Sequence, residues 1–207
     1  MRHTFGRLAF TPAVRAAQRR DGTRVGDDPT DHGPFVPDQL GDDELEFLEA
    51  QRSVYLATVS ETGWPYVQHR GGPPGFLKVL DPRTIGFADF AGNRQLITVG
   101  NVSVDDRVAM IAVDYAQRVR LKVLGHLAVR DVAPDDPLAE RLRVPGYRGR
   151  VQRLMTITVE AFDWNCPQHI PQQLDAEDVA RALAHRDARI AELEAKLAAV
   201  GNGGMTG

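Results

Sequence analysis

The chain has 207 residues, of which 43% are hydrophobic and 26% charged, and its formal net charge is −3. This composition is ordinary for a globular protein, and its slight excess of acidic residues gives no reason to expect nucleic acid or an anionic membrane as a partner. One cysteine, Cys166, excludes an intrachain disulfide and predicts a reducing, cytoplasmic environment. No apolar run approaches the roughly 18 residues of a membrane span.

The first 20 residues contain five arginines and no acidic residue, a composition that superficially matches an organellar transit peptide. However, Gly6 and Pro12 are expected to interrupt an amphipathic helix, and serine is absent. We therefore predict a loosely packed arm that could lie on a partner subunit. Residues 25–37 are rich in Asp, Gly and Pro, which is typical of a linker. Arm and linker together make up residues 1–41.

Residues 42–172 are predicted to form the folded domain. Its first helix covers residues 42–52, where an acidic first turn suits the positive end of the helix dipole and Leu45 and Leu48 form an inward-facing stripe. Short β-rich runs follow, separated by glycine, proline and aspartate turn signals. These predicted strands cover residues 54–59, 64–67, 76–80 and 85–90.

The second half of this domain has the pattern of longer strands. Short helices are predicted over residues 93–99 and 136–143. Gly125 stands in the middle of one predicted strand, which indicates a β-bulge or a close approach of two backbones. About seven strands with helices at the ends and crossings indicate an antiparallel, barrel-centred α+β fold. The remaining predicted strands cover residues 107–115, 119–130 and 153–163.

Residues 173–207 form a third segment, a helix with a frayed end. Asp175 can cap a helix that runs to residue 200. Its apolar residues recur at alternating steps of four and three, the period of a coiled-coil seam, which Arg186 interrupts. Two alternatives remain open, because the helix could pair across a dimer or pack on its own barrel. The seam residues are Val179, Leu183, Arg186, Ile190, Leu193, Leu197 and Val200.

Polar residues cluster at two breaks between the predicted strands, and we expect a ligand there. One cluster is Gln68, His69 and Arg70, and the other is residues 92–95, which open the predicted short helix. Free N–H groups and the dipole at a helix start favour an anion, and the guanidinium of Arg94 can hold a phosphate through two hydrogen bonds. The alternative for Arg94 is an ordinary surface position.

Other candidate residues give weaker signals. Lys78 lies in an otherwise apolar predicted strand, where it could face a phosphate in a cavity or solvent. Cys166 and His169 have the spacing of metal ligands, but two ligands do not close a zinc site, so no metal is predicted. The sequence has no P-loop, no Gly-x-Gly-x-x-Gly fingerprint and no nucleophile elbow. It therefore names no catalytic residue.

Several segments carry a family resemblance through their order along the chain. The longest are GWPYVQHRGG at 63–72, GFLKVLD at 75–81, ADFAGNRQ at 88–95, RLKVLG at 120–125 and FDWNCPQHI at 162–170. Together they resemble the pyridoxamine 5′-phosphate oxidase-like, FMN-binding split-barrel family over roughly residues 42–170. The similarity is nearest to a bacterial subgroup that has no assigned substrate.

This resemblance implies a fold and a cofactor. The implied fold is α+β, an antiparallel six- to seven-stranded split β-barrel with flanking helices and a C-terminal helix. The family forms homodimers that hold FMN in two clefts between the subunits. Lys78 and the loop Asn93, Arg94 and Gln95 match residues that contact the FMN phosphate. The other implied contacts are Ala88 and Asp89, whose backbone lies over the flavin, Arg120 near the ring, Trp164 from the second subunit, and Gln68, His69 and Arg70 near the ring or the ribityl chain.

The resemblance also implies an activity, an FMN-dependent oxidoreductase that acts on an unidentified small molecule. The true oxidases carry an Arg-x-His segment that binds the substrate, whereas here Trp164 is followed by Asn-Cys-Pro-Gln-His. Oxidation of vitamin B6 is therefore not expected. Two alternatives are a non-catalytic flavin or haem binding or sensing protein and a deazaflavin-dependent reductase on the same barrel.

Overall fold

A computed structural model describes residues 3–23, 33–165 and 168–203 of the chain. These residues divide into two units: the first comprises Met1–Asp114 and Val119–Gln168, and the second comprises Tyr115–Arg118 and His169–Gly207. The described helices are α1 (His3–Ala9), α2 (Pro12–Arg20), α3 (Asp42–Ala50), α4 (Ile97–Val102), α5 (Pro137–Arg141) and α6 (Ala176–Gly203). The described strands are β1 (Ser53–Val59), β2 (Pro65–Gly71), β3 (Leu77–Asp81), β4 (Thr84–Phe90), β5 (Arg107–Asp114), β6 (Val119–Asp131) and β7 (Val151–Asn165).

All seven described strands belong to one sheet in the first unit. Their order is β2-β1-β5-β6-β7-β4-β3, and every neighbouring pair is antiparallel. Although β2 and β4 stand far apart in this order, the side chains of Arg70 on β2 and Asp89 on β4 form an ion pair. The sheet must therefore curl to bring these strands together. It forms a split β-barrel, and the predicted fold class is confirmed.

Alternation of buried and exposed side chains places the core inside the curled sheet. On β1, Val54, Leu56 and Thr58 are buried, whereas Tyr55 and Val59 point outwards. Successive residues of a strand face opposite sides of the sheet, so each strand contributes every second side chain to the core. The predicted positions of all seven strands agree with the structure to within a few residues at each end.

Gly125 was expected to mark either a bulge or a close approach of two backbones, and the structure shows both. The register between β6 and β7 shifts between Leu124 and Gly125. A Cβ atom at position 125 would lie 2.3 Å from the carbonyl oxygen of Thr158 and 3.0 Å from Cγ2 of Ile157. Only a residue without a side chain lets these two backbones approach so closely.

The short helix predicted over residues 93–99 was misplaced. Helix α4 begins at Ile97, and residues 93–95 lie in the loop before it. Arg94 and Leu96 have φ angles of 59° and 56°, which lie in the left-handed region and cannot continue a right-handed helix. The prediction that Gly92-Asn93-Arg94 opens the helix was therefore wrong, and no helix N-terminus lies at these three residues to favour an anion.

The expectation that Gly6 and Pro12 interrupt helical structure was wrong, because α1 and α2 form within residues 3–23, whereas the loose packing of the arm stays a prediction. Gly6 lies inside α1, and Pro12 lies in the first turn of α2, where a missing N–H costs no helical hydrogen bond. The ring of Phe5 is buried, and the ammonium of Lys122 lies 5.1 Å from its centroid. Most of the predicted linker, residues 25–32, lies outside the described residues.

Trp164 joins the last strand to the first turn of α3. Its indole N–H donates to Oε1 of the buried Glu44 at 2.7 Å, while Oε2 of Glu44 accepts from the backbone N–H of Gly41 at 2.8 Å. The Trp164 ring also meets Phe47 edge to face, with centroids 4.7 Å apart. Both carboxylate oxygens of a buried acid are thereby satisfied, as burial of a charge requires.

Replacing Trp164 with phenylalanine should keep the aromatic contact and remove one partner of the buried Glu44 carboxylate. We expect a loss of about 1–3 kcal/mol in the free energy of unfolding, measured by urea denaturation. The chain's other tryptophan, Trp64, is 75% exposed and is the matched control. Trp64→Phe should change stability by less than about 0.5 kcal/mol, and equal losses in the two variants would contradict the assigned role of Trp164.

Helix α6 belongs to the second unit and has 28 residues. The backbone N–H of Glu177 donates to the carboxylate of Asp175 at 2.9 Å, which confirms Asp175 as the residue that caps the helix start. Within the described residues, no helix combines the length and hydropathy needed to cross a membrane.

Candidate functional site

A polar cleft of about 260 Å³ opens in the first unit where β2, the end of β4 and the start of β7 meet the loop before α4. Its wall combines arginines, amides, hydroxyls and a single carboxylate with a few apolar side chains. The lining residues are Tyr66, Gln68, Arg70, Asp89, Phe90, Gly92, Asn93, Arg94, Gln95, Leu96, Ile97, Thr98, Val99, Gln152 and Arg153.

Strand β2 presents every second side chain to this cleft. Tyr66, Gln68 and Arg70 line it, and the Tyr66 hydroxyl donates a hydrogen bond to Oε1 of Gln68. His69 lies between Gln68 and Arg70 in the sequence and therefore faces the opposite side of the strand. There it is exposed and meets Tyr55 edge to face at 5.7 Å between centroids. The structure thus brings two of the three clustered polar residues into the cleft.

One carboxylate holds two arginines at the base of the cleft. Oδ1 of Asp89 lies 2.6 Å from Nη1 of Arg70, and Oδ2 lies 2.9 Å from Nη1 of Arg153. The Asp89 side chain is only 8% exposed, and the two arginines are 19% and 16% exposed. Each oxygen pairs with a different guanidinium, so the Asp89 carboxylate fixes the positions of both arginines.

A β-bulge supplies the residues from β7. Asp89 pairs with Arg153, but the next residue, Phe90, pairs with Val151, so Gln152 is the extra residue of the bulge. Bulges re-aim side chains that regular alternation would send to opposite faces. Here Gln152 and Arg153, although adjacent in sequence, both line the cleft.

The loop before α4 forms the outer wall. The side chains of Asn93, Arg94 and Gln95 line the cleft and are exposed to solvent. Oδ1 of Asn93 accepts from the backbone N–H of Gln95 at 3.1 Å, which tightens the turn around Arg94. The third arginine of the cleft is thus carried on a loop, whereas the two that Asp89 contacts lie on strands.

Five of the predicted cofactor residues lie outside this cleft: His69, Lys78, Ala88, Arg120 and Trp164. Lys78 lies on β3 opposite Gly86 of β4. The side chain of Ala88 is buried among core residues, and Trp164 is held by Glu44. Their contacts with a flavin, including that of Trp164 across a dimer, stay predictions.

The structure adds cleft residues that the sequence did not single out, among them Tyr66, Thr98, Gln152 and Arg153. Strand alternation back from Gln68 would have predicted Tyr66. Nothing local marks Arg153, which is 64 residues from its partner Asp89 and reaches the cleft through strand pairing and a bulge.

Among the described residues, no group of three or more His, Cys, Asp or Glu side chains could hold a metal ion. Cys166, half of the Cys-His pair considered as metal ligands, lies outside the described residues.

The charge and the polar groups of the cleft suit an anion. Three arginines and one carboxylate line the cleft, so the lining residues carry a formal charge of +2. Nε of Arg70 is buried and has no hydrogen-bond partner within the described part of the chain. An unsatisfied buried donor on a cation is costly.

A protein-family model matches the part of the chain that builds the cleft. Residues 40–160 match the family model described as pyridoxamine 5′-phosphate oxidase. The chain belongs to the pyridoxamine 5′-phosphate oxidase family. The matched region contains every residue that lines the cleft, whereas Trp164 and α6 follow it. No curated protein matches the sequence.

Solved structures with similar folds share little sequence with this member of the pyridoxamine 5′-phosphate oxidase family. HupZ from Group A Streptococcus is 14% identical, with 65% of this chain and 99% of that chain covered and a TM-score of 0.49. A protein from Clostridium acetobutylicum related to general stress protein 26 is 13% identical, with coverage of 66% and 94% and a TM-score of 0.44. An FMN-binding protein from Syntrophomonas wolfei is 14% identical, with coverage of 59% and 86% and a TM-score of 0.44. Membership of the family therefore rests on the match over residues 40–160.

Proposed function

We propose that this protein binds FMN with its phosphate in the arginine-lined cleft and acts as an FMN-dependent oxidoreductase on a small molecule. The observation that carries the proposal is the pair Arg70 and Arg153 held by a single carboxylate, Asp89, with Arg94 lining the same cleft. A phosphate monoester carries between one and two negative charges near neutral pH, close to the formal excess of +2 in the cleft.

The donors of the cleft support a phosphate in particular. A guanidinium presents five N–H groups in a planar fork that matches two phosphate oxygens. The ion pairs of Arg70 and Arg153 with Asp89 each use Nη1. Amide groups of Gln68, Gln95 and Gln152 could complete the set of neutral donors, as expected for a recognised anion.

The size of the cleft supports a shared site. Its volume of about 260 Å³ is below the roughly 300–1,000 Å³ of pockets that enclose a cofactor-sized ligand. We propose that one chain holds the phosphate end and that a second copy covers the ring, which makes the functional unit a homodimer. In such a site the flavin supplies the electron-transfer chemistry, and the chain's residues bind and orient it.

The test is a titration of FMN followed by quenching of flavin fluorescence. Arg94→Ala removes a charge-assisted hydrogen bond worth about 1.5–3 kcal/mol, so FMN should bind roughly 10- to 150-fold more weakly. The matched control is Arg148→Ala, which removes an exposed arginine outside the cleft and should leave FMN affinity unchanged.

Riboflavin, which lacks the phosphate, distinguishes the loss of a phosphate contact from general unfolding. Its affinity should hardly change in Arg94→Ala, whereas general unfolding would weaken both ligands. If Arg94→Ala bound FMN as tightly as the parent, the phosphate would lie elsewhere, and Lys78→Ala would then be the next variant to titrate.

The absorption spectrum of the purified protein identifies a flavin, and a deazaflavin or haem spectrum instead would overturn the proposal. If the protein carries flavin but turns over neither reduced pyridine nucleotide nor any compound of a substrate panel, the proposal is limited to FMN binding.

A further inference from the structure

Helix α6 carries an apolar seam along its length that is exposed in the chain. Four seam residues, Val179, Leu183, Ile190 and Leu193, are 39–45% exposed, and Leu197 is 72% exposed. Their alternating steps of four and three residues give a period of 3.5, which keeps a seam facing one partner helix when two helices supercoil. In a heptad written abcdefg, position a is occupied by Leu183, Ile190 and Leu197, and position d is occupied by Val179 and Leu193.

The charged residues beside the seam have opposite signs on its two sides. The g positions, next to the a residues, carry Arg189 and Lys196, and the e positions carry Asp187 and Glu194. Arg189 and Lys196 also pair along the helix with Glu192, at 2.5 and 2.6 Å. The basic g positions are thus held on one flank, while Asp187 and Glu194 lie on the other.

This charge pattern selects both the partner and its direction. In a parallel pair of identical helices, each g residue faces the e residue five positions further along the partner, so Arg189 meets Glu194 of a second copy twice by symmetry. An antiparallel pair would instead set g against g and e against e, placing arginine near arginine and aspartate near aspartate. Like charges in such positions are destabilising. Ile at a with Leu at d, as in Ile190 and Leu193, also favours two parallel strands.

We infer that α6 forms a parallel, two-stranded coiled coil with α6 of a second copy of this chain. Arg186 occupies a d position, with a side chain 65% exposed in the single chain, and in the coil two such arginines would face each other. A charged residue at one core position lowers stability and fixes the register of the pair. The inference rests on α6 alone and stands or falls independently of FMN binding.

Disulfide trapping in the full-length protein tests the inference. On a Cys166→Ser background, Leu193→Cys places a thiol on the seam, and Ala195→Cys places one two residues away at an f position on the outer face. Parallel pairing brings residue 193 against its own copy within disulfide reach, so Leu193→Cys should form covalent dimers about tenfold faster than Ala195→Cys under mild oxidation. An antiparallel pair sets d against a, so residue 193 would not meet itself.

The trapping experiment can overturn the inference in two ways. Equal rates for the two cysteines would show chance collisions of a helix without a specific partner. Absence of covalent dimers from Leu193→Cys would show that the seam packs elsewhere. A urea unfolding midpoint equal to that of the parent would show that the fold is intact in either case.

A charge exchange tests the direction of the pair. Arg189→Glu should lower the equilibrium constant for the Leu193→Cys disulfide in glutathione buffer about fivefold, because it reverses two symmetry-related surface pairs. Adding Glu194→Arg should restore it. Residues 189 and 194 are five apart and are not neighbours on one helix surface, so the restoration must come from the partner. Failure of the second change to restore the constant would overturn the parallel arrangement.

Discussion

Replacement of Asp89 by asparagine should lower the free energy of unfolding by about 3 kcal/mol. The Asp89 side chain is 8% exposed and lies 2.6 Å from Arg70 and 2.9 Å from Arg153. Asparagine keeps the shape but removes the charge, and its NH₂ group would face an arginine donor. Two partly buried guanidinium groups would then stand close together without a counter-charge, which is the costly consequence of breaking a buried ion pair.

A second carboxylate beside the same arginine provides the control for this experiment. Oδ1 of Asp131 lies 3.8 Å from Nε of Arg153, but the Asp131 side chain is 93% exposed. Exposed pairs contribute little because water and salt screen them. Asp131→Asn should therefore cost less than about 0.5 kcal/mol in the same urea titration. Similar losses for the two variants would show that burial of the Asp89 carboxylate does not govern its contribution.

Replacement of Gly125 by alanine should cost about 3 kcal/mol in the free energy of unfolding, or prevent folding altogether. The added Cβ would lie 2.3 Å from the carbonyl oxygen of Thr158, and a backbone atom in the middle of a sheet cannot swing aside as a flexible side chain can. Relief requires β6 and β7 to separate, which stretches ladder hydrogen bonds and disturbs the packed core.

The same substitution at Gly100 separates the effect of contact from the effect of losing a glycine. Gly100 lies inside α4, and a Cβ there would have no atom within 4 Å. Because alanine is the better helix former, Gly100→Ala should raise stability by roughly 0.5–1 kcal/mol. Thermal unfolding of the two variants and the parent measures whether each substitution raises or lowers stability. A Gly125→Ala variant as stable as the parent would contradict the close approach of the two strands.

Local patterns in the sequence determined the elements of this fold. Period-two alternation and turn residues located the seven strands, and Gly125 marked the bulge, because burial on one face of a sheet constrains every second residue. Asp175 marked the start of α6 through the preference for a capping oxygen. The order of motifs along the chain also indicated the pyridoxamine 5′-phosphate oxidase family, and the match over residues 40–160 confirms it.

The tertiary structure alone decided which side chains share the cleft. Arg70, Asp89 and Arg153 come from three strands, and only the curl of the sheet and the pairing of β4 with β7 bring both arginines within 3 Å of the Asp89 carboxylate. The sequence misplaced the start of α4 because left-handed backbone at Arg94 carries no local signal when the residue is not glycine. It missed Arg153 because contacts between residues far apart in the chain are set by the pairing of strands and not by any local periodicity.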